Sequence, residues 1–189
     1  MVATPDFLDD VQTMTLEAFA DTIVPGAKRF PTDHAIAGVC DDPGAVEAGA
    51  LELLGDPATG VAAGLAPLSA MLNQRADDYA ERVGLTLEDD VPAFVALDYD
   101  HRAALILELV AWGNPERDGW VLLTMFSNMA YDSAAHRHTA EAIAEGHPGL
   151  LAMGFAEPDT DGLWRFADFS YGRVLAKRHP STTESGSPE

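Results

Sequence analysis

The chain has 189 residues, 47% of them hydrophobic, enough for one sizeable core, and it carries 31 acidic against 11 basic side chains, a formal net charge of -20. A surface of that sign repels phosphate backbones and anionic lipid heads, which argues against nucleic-acid and membrane-surface partners and favours a basic protein surface. The single cysteine, Cys40, excludes an intramolecular disulfide and with it a disulfide-built secreted fold.

The opening, MVATPDFLDD, has no basic n-region, apolar h-region or twin arginine, so no export signal is expected and a cytoplasmic protein is the simplest reading. Residues 1–14 are read as a loose acidic arm. A first helix is predicted from Thr15 as N-cap. Leu16, Phe19, Ala20, Ile23 and Val24 fall on one face of a 3.6-residue period, and Pro25 stops the helix. Asp21 is read as an exposed residue of that helix. Asp42-Pro43 looks like an N-cap with proline at N1, opening a second helix that ends at Gly55. A long third helix is predicted from Val61 to Val83, with Pro67 either kinking it or marking its real first turn.

Glu88-Asp89-Asp90 can cap a short helix leading to Phe94 and Leu97. Asp98 or Asp100 opens the next, closed by Gly113. Asn114-Pro115-Glu116 then starts a helix running to about Tyr131 that is apolar nearly all round, which predicts a place at the centre of the fold. A polar helix is expected over Ala134 to Glu145. From His147 onward the turn dipeptides Pro148-Gly149, Gly154-Phe155 and Asp161-Gly162 predict an irregular, aromatic-rich segment. Residues 180–189 have the composition of a disordered tail. The expected architecture is a mostly α-helical single domain over residues 15–179, with about six helices.

Four constellations have the residue types of chemistry. His136-Arg137-His138 is the one close histidine pair, but on a helix positions two apart point about 200° away from each other. A metal site there would need His147, Asp132 or His101 as well. Asp98-Tyr99-Asp100-His101-Arg102 could do acid–base work, yet reads first as an acidic helix start. Cys40 beside Asp41 and Asp42 lies in negative potential that discourages a thiolate. Trp112, Met125, Met129, Tyr131 and His136 could line an apolar pocket. No catalytic, cofactor or metal residue is therefore predicted.

Leu16, then Ala20-Asp21-Thr22-Ile23-Val24-Pro25-Gly26 and downstream Asp42-Pro43-Gly44-Ala45, resembles the opening of the gluconate 2-dehydrogenase subunit 3 family. Gly146-His147-Pro148-Gly149, Gly154-Phe155, Asp161-Gly162-Leu163-Trp164 and Ser170-Tyr171-Gly172 resemble the C-terminal end of a related, uncharacterised actinobacterial family. The resemblance implies a helical, cofactor-free small subunit that stabilises, matures or escorts a flavin-dependent dehydrogenase or oxidase of the glucose-methanol-choline type. Members of that family often carry a twin-arginine signal, which is not read here, so the implied work is assembly or support inside the cell. Partner contacts are expected at Pro25 and Gly26, whose turn the family pattern marks, and at the aromatic set Trp164, Phe166, Phe169 and Tyr171. Self-association in the partner's absence is left open. The competing expectation is a stand-alone small-molecule-binding protein or cofactor-free enzyme of secondary metabolism, built around the apolar pocket.

Overall fold

A computed structural model describes residues 8–155. Among them are eight α-helices and no strand: α1 (Asp10–Ile23), α2 (Ala50–Gly55), α3 (Leu65–Val83), α4 (Ala93–Ala96), α5 (Tyr99–Leu109), α6 (Arg117–Asp132), α7 (Thr139–Ala144) and α8 (Pro148–Ala152). The fold is mostly α, as its periodicity predicts. Four of the helices are a single turn or little more, which is why the count exceeds the expected six.

The centre is α1, which packs against α2, α3, α4, α5 and α6. It starts six residues earlier than its apolar pattern indicates, its N-cap being Asp9 rather than Thr15. Asp9 accepts from Gln12 N–H at 2.8 Å and Gln12 reaches back to Asp9 N–H at 3.2 Å, a reciprocal capping box. Thr15 is thus inside the helix, its hydroxyl donating to Val11 C=O at 2.7 Å, and the expected arm gives up residues 10–14. Leu16 and Phe19 are fully buried on one side, and the small residues Thr15, Ala18 and Thr22 let neighbours approach on the other. The Phe19 ring lies 6.4 Å from both Phe94 and Trp120, tilted against each. Asn73 of α3 ties this layer together. It donates to Thr15 Oγ1 at 3.0 Å and accepts from Phe94 N–H at 3.1 Å.

The centrality predicted for α6 is not what forms. Trp120, Leu123, Ser127 and Ala130 face inward, while Asp118, Leu122, Met125 and Asn128 form an exposed stripe at helical spacing. Pro67 sits in the first turn of α3, where its missing N–H is no loss, and Gly84 ends that helix at φ 78°. The second helix is shorter than expected. Gly49, at φ 90°, interrupts it and leaves only Ala50–Gly55 helical, with Gly44 to Ala48 forming a single preceding turn. The polar helix shrinks to Thr139–Ala144, because Ala134 adopts φ 47° and Arg137 N–H closes a tight turn back to its carbonyl. Pro148 opens α8 at N1 rather than making a plain turn. The residues 156–189, including Trp164, Phe166, Phe169, Tyr171 and the expected tail, lie outside the described residues. No helix among the described residues is long and apolar enough to cross a membrane.

Candidate functional site

Two stretches far apart in the sequence lock together beyond the end of α1. Ala45 N–H donates to Val24 C=O at 2.9 Å and Ala27 N–H to Asp42 C=O at 3.0 Å, so Val24–Ala27 and Asp42–Ala45 lie side by side. Gly26 and Gly44 make the close approach possible. A Cβ on Gly26 would fall 2.6 Å from Gly44 N, and one on Gly44 would fall 2.6 Å from Gly26 N. Gly26, expected at a partner contact, is buried in this clasp, and Pro25 beside it is half-buried.

Asp21 anchors the clasp from within α1. It is buried, not exposed as its helical position indicated, and its carboxylate accepts Gly26 N–H at 3.0 Å and Ala37 N–H at 2.8 Å. Burial, the strongest influence, pushes its pKa up. The two backbone donors and the nearby Arg102 charge pull the other way.

Arg102 of α5 is buried as well. Its guanidinium donates to Leu97 C=O at 2.9 Å, Ala35 C=O at 2.8 Å, Val95 C=O at 2.6 Å and His34 C=O at 3.1 Å. Burial drives its pKa down, opposed by Asp21 and Asp98. The two opposite charges therefore hold the 24–45 loop by its backbone, Asp21 through N–H groups and Arg102 through carbonyls.

A second acid, Asp33, fastens the loop's outer edge. It accepts from Arg29 Nε at 2.7 Å, and Arg29 also grips Glu17 with a bidentate pair at 2.6 and 2.7 Å. Burial alone would raise the Asp33 pKa, but the Arg29 hydrogen bonds and charge bring it below its ordinary value.

Of the cluster Asp98 to Arg102, most members are committed to structural hydrogen bonds. Asp98 caps α5 through His101 N–H at 3.0 Å, Tyr99 OH reaches Thr22 C=O at 3.5 Å, and His101 Nδ1 pairs with Tyr79 OH at 2.8 Å. Beside the clasp runs a groove of about 480 Å³ bordered by Lys28, His34, Asp98, Tyr99, Asp100 and Arg102. Cys40 Sγ accepts Asp42 N–H at 3.4 Å.

The histidines assemble at the other end of α6. His136 and His147 have ring centroids 6.1 Å apart, while His138 turns to solvent. His147 is buried. Its Nε2 donates to Ala48 C=O at 2.9 Å and its Nδ1 accepts Leu150 N–H at 3.3 Å, which fixes the neutral tautomer and caps α8. His136 lies in a turn, not on a helix. Its side chain is 3% exposed, its Nδ1 has no partner, and its Nε2 is 3.7 Å from Glu52. Burial, first, lowers its pKa. No group of three or more histidine, cysteine or acidic residues is placed to hold a metal among the described residues.

The five residues expected around an apolar pocket do not surround one space. Trp112 is 89% exposed and stacks under Arg117, whose guanidinium is 4.2 Å from the ring centre. Tyr131 is fourteen residues further along α6, about 21 Å away at the helical rise.

A model of the family described as a family of unknown function (DUF5987) matches residues 10–189. The chain belongs to this family. The family match begins at the first residue of α1 and takes in both segments of the clasp, Asp21, Arg102 and the histidine corner. No curated protein and no solved structure matches the chain.

Sequence reasoning picked out the Pro25-Gly26 turn but took Asp42-Pro43 for a helix start, and it did not find the charges that hold the two stretches together. The available signal was the far face of α1. Thr15, Ala18 and Thr22 are small, and a helix small on one side and bulky on the other is packed all round, which would have placed Asp21 inside.

Proposed function

We propose that the protein is a non-catalytic accessory subunit that stabilises, matures or supports a flavin-dependent oxidoreductase of the glucose-methanol-choline type, inside the cell. The observation that carries this reading is the clasp. The two stretches that resemble the small-subunit family, Leu16 to Gly26 and Asp42 to Ala45, are one structural unit, joined by the Ala45–Val24 and Ala27–Asp42 hydrogen bonds and anchored on Asp21. An acidic surface with single apolar side chains standing out of it fits a protein that works by contact.

The test is deletion of this chain in its native host, followed by the amount and flavin content of the host's glucose-methanol-choline-type flavoproteins. The accessory role predicts that one of them is lost or accumulates without flavin, and that supplying the chain restores it. Unchanged amount and flavin content of all of them would remove the proposal.

A further inference from the structure

The junction of α5 and α6 carries the most exposed large apolar side chains of the described body, Trp112 at 89% and Leu107 at 70%. Trp112 stands on a tight turn closed by Asn114 N–H to Ala111 C=O at 3.2 Å, with Gly113 at φ 94°. Its ring is braced by the Arg117 guanidinium at 4.2 Å. Arg117 is itself held, by Nε to Val110 C=O at 3.1 Å and by Nη1 to Asp118 at 3.3 Å. The indole is therefore fixed in position while still facing water. A side chain ordered before contact gives up little conformational freedom on binding, and tryptophan and arginine are the residue types that most often anchor interfaces.

We infer that Trp112, braced by Arg117, is the anchor of an interface with a larger protein partner offering an apolar cleft with a basic rim; this rests on the accessory-subunit reading and names the surface that reading would use. Charge decides between occupants. Glu108, Glu116 and Asp118 are each paired with an arginine, Arg82, Arg75 and Arg117, so the excess negative charge is that of the chain as a whole, with 31 acidic and 11 basic residues. Two copies meeting tip to tip would bring like fields together, whereas a basic rim would be drawn to this surface.

The experiment places a photo-crosslinking p-benzoylphenylalanine at position 112 of the full chain in its native host, with the same residue at the exposed Glu47 as control. It is paired with retention of the captured chain by wild type and Trp112→Ala. Trp112 is exposed, so the variant keeps the fold, which its helical circular dichroism and melting temperature check.

The inference expects an adduct from position 112 to a larger chain, through an apolar peptide flanked by lysine or arginine. It also expects retention that weakens with salt and drops about tenfold in Trp112→Ala. If that larger chain carries flavin, the accessory role stands with it. If it carries none, the interface stands and the flavoprotein role falls. An adduct to a second copy of this chain, labelling no stronger than at position 47, or full retention by Trp112→Ala would overturn the inference.

Discussion

Two buried polar regions of this protein are built on opposite principles. In the clasp, ionised side chains are buried and their hydrogen-bonding atoms are aimed at backbone. Asp21 accepts two N–H groups and Arg102 donates to four carbonyls. In the histidine corner the buried groups are imidazoles. His147 is held in one tautomer by Ala48 and Leu150, and His136 keeps one nitrogen without a partner. The first arrangement ties a loop between distant segments to α1 and α5. The second buries a ring nitrogen of His136 with no partner.

The largest expected effect breaks the clasp. Arg102→Met leaves Asp21 buried without its opposite charge and four carbonyls without donors, so a loss of at least about 3–5 kcal/mol is expected in urea unfolding. The double variant Asp21→Leu/Arg102→Met sharpens the point. A plain ion pair can be exchanged for apolar residues at little cost. Here each charge serves backbone groups, so the double variant is expected to stay as destabilised as the single one.

Steric insult separates the two regions by how far damage spreads. Gly26→Ala puts a methyl group 2.6 Å from Gly44 N, and Gly149→Ala puts one 2.1 Å from Tyr131 O. Each is expected to cost about 1–3 kcal/mol. Native-state hydrogen exchange tells them apart: Gly26→Ala should lower protection throughout α1 and α6, and Gly149→Ala only in α7 and α8.

Mild acid should act first on the corner, whereas Asp33, held below its ordinary value by Arg29, gives up its contribution to the clasp only in stronger acid. The folded-state pKa of His136 lies below its unfolded value near 6.5, chiefly because burial disfavours the cation, with His147 and Arg137 adding to the effect and Glu52 and Asp56 opposing it. In that window the unfolded chain binds the extra proton, so stability rises with pH there. It is fully present above the unfolded value and is lost as pH falls toward the folded one. His136→Leu should flatten that slope in melting curves taken across the window. The smallest effect belongs to Trp112→Ala, which removes an exposed ring and should change unfolding stability by less than about 0.5 kcal/mol.

The helices were legible where apolar spacing and a terminator agree. Gly84 closes α3, Asp98 caps α5, and both match their sequence signals. One turn of the clasp was legible too, because Pro25-Gly26 marks it, whereas Asp42-Pro43 has the pattern of a helix start. The energetics of the clasp were not. Periodicity identifies an apolar face but does not say which polar residue lies opposite a neighbour, and Arg102 finds its carbonyls sixty-seven and sixty-eight residues away at Ala35 and His34. The positive φ of Ala134, at the start of the expected polar helix, has no signature in residue type. Trp112 shows the converse difficulty: a tryptophan beside a turn reads equally as pocket lining or as a projecting anchor until the turn's direction is known.

The most direct test of the accessory role is a pull-down of the tagged full chain from its native extract with an absorbance spectrum of the eluate. A co-purifying larger chain with the blue-light absorbance of oxidised flavin is the predicted result. A colourless protein eluting alone, from cells shown to express such a flavoprotein, would contradict it.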